Sequence, residues 1–210
     1  MPRVSRNLLV LFVLLAPGTP SVFSQPPNAT PMKVQAGRPA PDFQTQDIYG
    51  NPVSLSGLRG RPVLLSFMRN AGCPVCNFQV HELLAQADSL KARNIAVVLV
   101  YQSSRENLLG YLSGQALPFT FVADPDNQLY RRYGIEHGMG KMMKGMFNGA
   151  LGKMRKGKRL FTSQVKQDGN GTTIGADFLL DGQGTVVKAH YGAYLGDHLA
   201  PAEVLAAATE

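Results

Sequence analysis

Tryptophan is absent and cysteine is scarce: there are two cysteines in 210 positions. Two cannot build a disulfide framework, and a structural zinc site needs four ligands. The four histidines show no matching spacing that would complete such a site. Long apolar runs are absent too. The N-terminal stretch from Leu8 to Ala16 is too short to span a bilayer. No internal repeat is visible, which excludes solenoid and propeller arrays. Acidic residues are scarce in one place. From 138 to 171, eight lysines and arginines are opposed by Asp168 alone. That stretch carries as much net charge as the whole chain, formally +7, so the basic balance is one segment's property. Only Phe147 and Phe161 are interleaved with its cations. A single-strand stacking platform wants more aromatics, so no nucleic-acid partner is expected.

The two cysteines are placed with purpose. They sit in Phe67-Met68-Arg69-Asn70-Ala71-Gly72-Cys73-Pro74-Val75-Cys76, directly after the apolar run Val63 to Phe67. Beyond them Cys76, Val80, Leu83, Leu84, Ala87 and Leu90 recur at helical spacing, with Gln79, Glu82 and Gln86 off that face. The layout is strand, short loop, Cys-x-x-Cys, helix. Pro74 suits the first helical position, which puts Cys73 at the helix N-terminus. Unsatisfied N–H groups and the positive end of the helix dipole stabilise a thiolate there. Cys73 is therefore the expected nucleophile and Cys76, one turn on, its disulfide partner. A purely structural bridge over so short a loop would remove little unfolded-state entropy. The chemistry calls for no bound cofactor. Because the helix terminus suffices to activate the thiolate, His81, His137, His190 and His198 are not expected to act as bases.

The N-terminus reads as a signal peptide over 1–24: Arg3 and Arg6, the apolar run, then Val22 and Ser24 ahead of a cleavage before Gln25. An uncleaved anchor is the alternative. No cysteine near the cleavage point offers a lipid attachment. Export, to a periplasm or to the exterior, implies an oxidising compartment suited to a redox cysteine pair. Residues 25–38, rich in Pro and polar residues, read as a flexible leader. One domain follows over 39–208.

Within it, Asp47 to Leu55 places a Gly-Asn-Pro turn between two β-like runs. Residues 63–67, 74–92 and 95–101 form a strand-helix-strand unit, hence a parallel pair with a right-handed crossover. A short helix from Arg105 to Leu112, a strand at 119–123, a helix from Gln128 to Tyr133, strands at 178–180 and 185–189, and a closing helix from Pro201 complete the order. The fold class is α/β, a central sheet with helices on both faces. The basic segment at 138–171 is an insertion. Its Met139, Met142, Met143 and Met146 fall on one helical face. They suit an adaptable apolar stripe packing on the domain. The same spacing serves a soft Cu(I) site in a metal-handling protein, or a basic amphipathic surface on anionic lipid. Gly138, Gly140, Gly145, Gly149 and Gly152 weaken a single rigid helix, which points to a lid near the cysteines.

Arg61 through Cys76 resembles the active-site segment of the AhpC/TSA (redoxin) proteins, in their peroxiredoxin-like branch with Phe-x-Arg-x-x-x-Cys-Pro-x-Cys. Gly175 to Gly182, His190 to Gly192 and Gly196 to His198 are similar to the same branch. The resemblance implies a thioredoxin-like fold with a central mixed sheet and an N-terminal hairpin, and a hydroperoxide substrate. It implies Cys73 as peroxidatic thiolate, Cys76 as resolving thiol, and a thioredoxin-like external thiol as reductant. Arg69 and Asn70 would supply donors to the leaving oxygen. Three positions depart from the pattern. Ser66 and Asn70 stand where such enzymes carry Pro and Thr, and Gly175 stands where a second Arg is expected. The competing reading is a thiol-disulfide oxidoreductase of thioredoxin or TlpA type acting on protein disulfides. Those proteins hold a cis-Pro opposite the cysteines, and the matching loop here is Thr172 to Asp177.

Overall fold

The computed structural model describes residues 33–112, 115, 117–160 and 167–208. The expected signal peptide and most of the leader lie outside these residues, as do Phe161 and Lys166. A small antiparallel hairpin, β1 (Gln44–Gln46) with β2 (Pro52–Ser54), precedes the main sheet. Its turn is held by Asp47, whose carboxylate accepts the N–H groups of Tyr49 and Asn51.

The main sheet contains β3 (Val63–Phe67), β4 (Ala96–Tyr101), β5 (Thr120–Ala123), β6 (Ala176–Leu180) and β7 (Val186–Tyr191). Their order is β5-β4-β3-β6-β7. β3 runs parallel to β4, and β4 to β5, while β6 and β7 are antiparallel additions. β3, β4 and β6 are buried at every position. Their near-continuous apolar composition follows, because a strand covered on both faces has no side for water.

The helices are α1 (Pro74–Leu84), α2 (Ala87–Ala92), α3 (Arg105–Tyr111), α4 (Gln128–Arg132), α5 (Met139–Gly145), α6 (Leu151–Leu160) and α7 (Pro201–Ala207). Strand alternation sends Leu64, Leu99 and Leu179 into one core with α1, α2, α3 and α7. It sends Leu65, Phe67, Val100 and Phe178 into the other, against α4. This is the mixed sheet covered on both faces that the resemblance implies.

Three details differ from the sequence expectation. The helix expected over 74–92 is two helices, because the chain tightens at Gln86, whose N–H bonds the Leu83 carbonyl. Gln79, expected to point away from the core, is buried, and its amide donates to the Leu199 carbonyl at 3.0 Å. The flexible leader ends sooner than residue 38. Val34 is buried with its N–H on the Tyr191 hydroxyl at 2.7 Å, and Lys33 pairs with Glu136. An apolar valine and a fixed cation tie this polar stretch down.

The basic segment is an excursion between neighbouring points. Its ends meet in an antiparallel bridge between His137 and Thr173, flanked by Gly138 N–H on Thr172 and Ile174 N–H on Glu136. Between α5 and α6 the chain makes a widened turn, Met146–Ala150, kinked at Asn148 and at Gly149, whose φ of +87° suits glycine.

Candidate active site

β3 delivers the loop 68–73 to the sheet's edge of strand ends, and neighbouring groups fix it. Met68 N–H bonds the Val100 carbonyl at 2.8 Å, and Tyr130 donates its hydroxyl to the Met68 carbonyl. Ala71 N–H donates to Ser103 Oγ at 2.8 Å, and Cys73 N–H to the Asn70 carbonyl at 3.0 Å. Cys73 then caps α1 in extended conformation with Pro74 just inside. Its Sγ accepts the Cys76 N–H at 3.4 Å. Cys76 Sγ accepts the Arg69 N–H, also at 3.4 Å. Both cysteines are free thiols and both are buried.

Burial alone would raise the Cys73 pKa. The Cys76 hydrogen bond, the Arg69 charge and the N–H groups of Cys76 and Val75 outweigh it and lower it to about 6. Cys76 moves the other way: burial, the hydrogen bond to Cys73 and the neighbouring negative charge push its thiol well up. The two thiols are thus pulled apart in acidity, Cys73 down and Cys76 up, which suits Cys73 as the attacking sulfur.

Arg69 and Asn70 lie in the loop between β3 and Cys73. Arg69 Nη1 donates to the Gly171 carbonyl at 3.0 Å. Its Nε, and Oδ1 of the buried Asn70, are buried polar atoms with no hydrogen-bond partner among the described residues. The Arg69 Nε–H is thus a buried donor open to an incoming oxygen, whereas Asn70 Oδ1 can only accept a hydrogen bond.

The basic segment roofs this site. α6 lies along α1 so closely that a Cβ on Gly157 would come within 1.8 Å of the Pro74 carbonyl oxygen. The returning chain closes the other side, with Gln167 Nε2 on the Gly72 carbonyl at 2.9 Å. Asp168, the segment's lone acid, accepts from Ser103 Oγ at 2.5 Å, Ser104 N–H at 3.0 Å and Asn107 Nδ2 at 2.6 Å. The described parts of the segment thus pack on α1 and on the cysteine loop.

The methionine stripe divides. Met142 is half-buried with Sδ 4.0 Å from Arg69 Nη1. Met139, Met143 and Met146 are exposed, together with Phe147 (85%) and Leu151. The stripe expected to pack on the domain therefore turns mostly to solvent, because the small residues Gly145, Ala150 and Gly157 make the buried face. For the Cu(I) reading, Met142 faces a guanidinium, which opposes a second cation.

Sequence reasoning missed a buried ion pair. Asp177, in β6, faces the α1 side of the sheet beside Ser66, its register partner in β3. Its carboxylate takes the Ser66 hydroxyl, the Leu199 N–H at 2.7 Å, and His198 Nδ1 at 3.1 Å. Burial raises and the histidine's charge lowers the Asp177 pKa, with a net lowering. Burial lowers and the carboxylate raises that of His198, with a net rise. A signal was available: an acid inside the apolar strand Ala-Asp-Phe-Leu-Leu must have a partner. His81, by contrast, is exposed, as expected.

Peroxiredoxin Q, chloroplastic, of Sedum lineare is 30% identical over 108 residues, 51% of this chain and 58% of that protein. Peroxiredoxin Bcp of Escherichia coli K12 is 30% identical over 102 residues, 49% of this chain and 65% of that one. The chain thus matches less than two thirds of the length of these relatives. Among solved structures, Peroxidoxin BcpB of Mycobacterium tuberculosis superposes with a TM-score of 0.61 at 15% identity, over 84% of this chain and 97% of that one. A candidate thiol:disulfide interchange protein DsbE of Chlorobium tepidum gives 0.55 at 23%, over 83% and 93%. These likenesses show the thioredoxin-like fold. The AhpC/TSA family profile matches residues 36–189, across the hairpin, the cysteine loop, the roof and the last strands, and the chain belongs to that family.

Proposed function

We propose that this protein is a thiol peroxidase that reduces small hydroperoxides through Cys73. The observation that carries the reading is a lowered-pKa thiolate sealed under α6 and residues 167–171, beside Arg69. A small oxidant needs only a small opening to reach it, whereas a protein disulfide needs the roof removed. The peroxiredoxin relatives support the same choice over a disulfide exchanger.

In the first step Cys73 Sγ attacks one peroxide oxygen and the O–O bond breaks. The sulfur is oxidised to a sulfenic acid, and the leaving hydroxide or alkoxide takes a proton to become water or alcohol. Arg69, whose charge already acts on Cys73, would donate to the negative charge developing on that oxygen, and Asn70 would do so through its amide nitrogen. Cys76, still protonated, then attacks the sulfenic sulfur; its proton leaves with the hydroxyl as water and a disulfide forms. An external dithiol, a thioredoxin-like protein, reduces the disulfide by two exchange steps and is itself oxidised. That exchange requires the roof to open.

The test is to mix reduced protein with slight excesses of hydrogen peroxide and of an organic hydroperoxide. Rapid loss of both thiols is expected, with Cys76→Ser stopping at a sulfenic acid on Cys73. Oxidation at free-thiol speed, together with fast reduction of a protein disulfide, would favour the exchanger.

The place of action we propose is outside the cytoplasm, on the strength of the n-region, apolar run and cleavage pattern of residues 1–24. There the exposed apolar side chains of Met139, Met143, Met146, Phe147 and Leu151, flanked by Lys144, Arg155, Lys156, Lys158 and Arg159, suit contact with an anionic lipid surface.

A further inference from the structure

We infer that His198, held as an imidazolium by Asp177, is the second cation that keeps Cys73 a thiolate, and that Gly175 is glycine to make room for it. The inference rests on the peroxidase reading of Cys73 and names a positioning residue for it.

The geometry begins with exclusion. A Cβ on Gly175 would lie 2.3 Å from His198 Cε1 and 2.5 Å from Nε2. A side chain at 175 and the imidazole at 198 therefore compete for one space. Position 175 is where the sequence pattern leads one to expect an arginine, and the imidazole fills the space that its stem would take.

The ring is brought there by the last loop. Leu195 and Leu199 share an apolar cluster with Cys73, Val75 and Cys76. A Cβ on Gly196 would meet Val75 Cγ1 at 2.5 Å, and Gln79 of α1 holds the Leu199 carbonyl. The loop is thus pressed on the first two turns of the helix that Cys73 caps. Asp177 reaches the ring from the sheet on the same side, its oxygens already taken by Ser66 and Leu199 N–H. A carboxylate this buried needs a positive partner, and His198 Nδ1 is its only titratable neighbour in hydrogen-bond reach among the described residues.

The charges that face His198 come from three elements. Asp177 on β6 and the Cys73 thiolate at the start of α1 favour the imidazolium; Lys153 on α6 opposes it. Lys153 is turned aside, its ammonium on the Gly196 carbonyl at 2.7 Å. Burial also opposes the charge, and the two anions outweigh both opponents. The coupling is reciprocal: if the thiolate stabilises the imidazolium, the imidazolium stabilises the thiolate by the same amount.

The experiment titrates Cys73 thiolate absorbance in Cys76→Ser protein, with and without His198→Gln. Glutamine can still donate to Asp177 but carries no charge. We expect the midpoint to rise by about one unit, a tenfold loss of thiolate at pH values below it. Peroxide oxidation at pH 6 should slow to match and recover at high pH. Asp177→Asn should give the same rise with His198 in place, which covers the case where His198→Gln does not fold. The reciprocal arm follows the His198 ring by NMR, where Cys73→Ser should lower its titration midpoint. A mere loop anchor predicts no movement in any of these titrations. A low parent midpoint that neither variant moves overturns this inference alone. A parent midpoint near the ordinary value of about 8.5 removes the peroxidase reading, and this inference with it.

Discussion

The sheet-and-α1 region and the α5–α6 region handle charge in opposite ways. Around the sheet, charged groups are few, buried and matched: Asp177 with His198, the Cys73 thiolate with Arg69. Along α5 and α6, only Lys141 has an acidic partner among the described residues, Glu136; the other cations stand without one beside apolar side chains. Among the described residues, five of the seven large exposed hydrophobics belong to this one stretch. A buried charge shifts its neighbours' protonation strongly, and a surface charge is screened by water and salt. The first region is thus built for chemistry, the second for cover and contact.

The sharpest separation of the two is Cys73→Ser. Peroxide consumption should vanish, while binding to anionic vesicles stays unchanged. Next comes Asp177→Asn, which touches only the buried set. Removing one partner of a buried pair costs about 3 kcal/mol. The sign with pH is fixed by the shifts. Asp177 is lowered, so its share of stability is complete above the ordinary value of 3.8 and is lost as pH falls through its folded value. His198 is raised, so its share is complete below the ordinary value of 6.5 and is lost as pH rises through its folded value. Denaturant unfolding should therefore show the widest gap between parent and variant between those two values, narrowing on either side.

Gly157→Val attacks the seam between the regions. Overpacking costs about 1–3 kcal/mol, so opening of the roof should increase about tenfold and Cys73 should react faster with a bulky thiol reagent. A gain for small peroxides as large as for the bulky reagent would break the distinction between sealing and catalysis. The smallest effect is expected from Phe147→Ser. Vesicle partitioning should fall by about tenfold, the loss of roughly 1.5 kcal/mol of apolar transfer, with peroxide kinetics unchanged. Equal binding to neutral and anionic vesicles would remove the role given to the surrounding cations.

The elements themselves were legible in the sequence because period and punctuation agree there. Val63 to Phe67 is apolar on both faces and forms the strand it predicts, and Pro74 marks the first turn of α1. The place of Cys73 at the start of α1 was legible for the same reason, since its setting is local. What could not be read were the contacts closed over long separations. Gln79 looks like a surface residue until the Leu199 carbonyl, from the far end of the chain, needs its amide. Val34 looks like leader until Tyr191 reaches it. Asp177, an acid in an apolar strand, signals that it needs a partner but not which one; the register of β6 on β3 and the docking of the last loop make His198 that partner. The methionine stripe misled because helical spacing says which residues share a face and not which face is buried.

The bridge between His137 and Thr173 makes the roof a module. A β-bridge brings its two backbones to about 5 Å, so everything from 138 to 172 leaves the domain and returns to the same doorstep. A short turn could span that gap, and replacing a long closed excursion by a short one lowers the entropy cost of closing the chain. The remaining domain would keep all five main strands and the cysteine helix, with its thiols uncovered. Excision is thus a one-step route from a sealed thiol to an open one. The same scaffold can be edited toward larger substrates without touching a residue of the reacting pair.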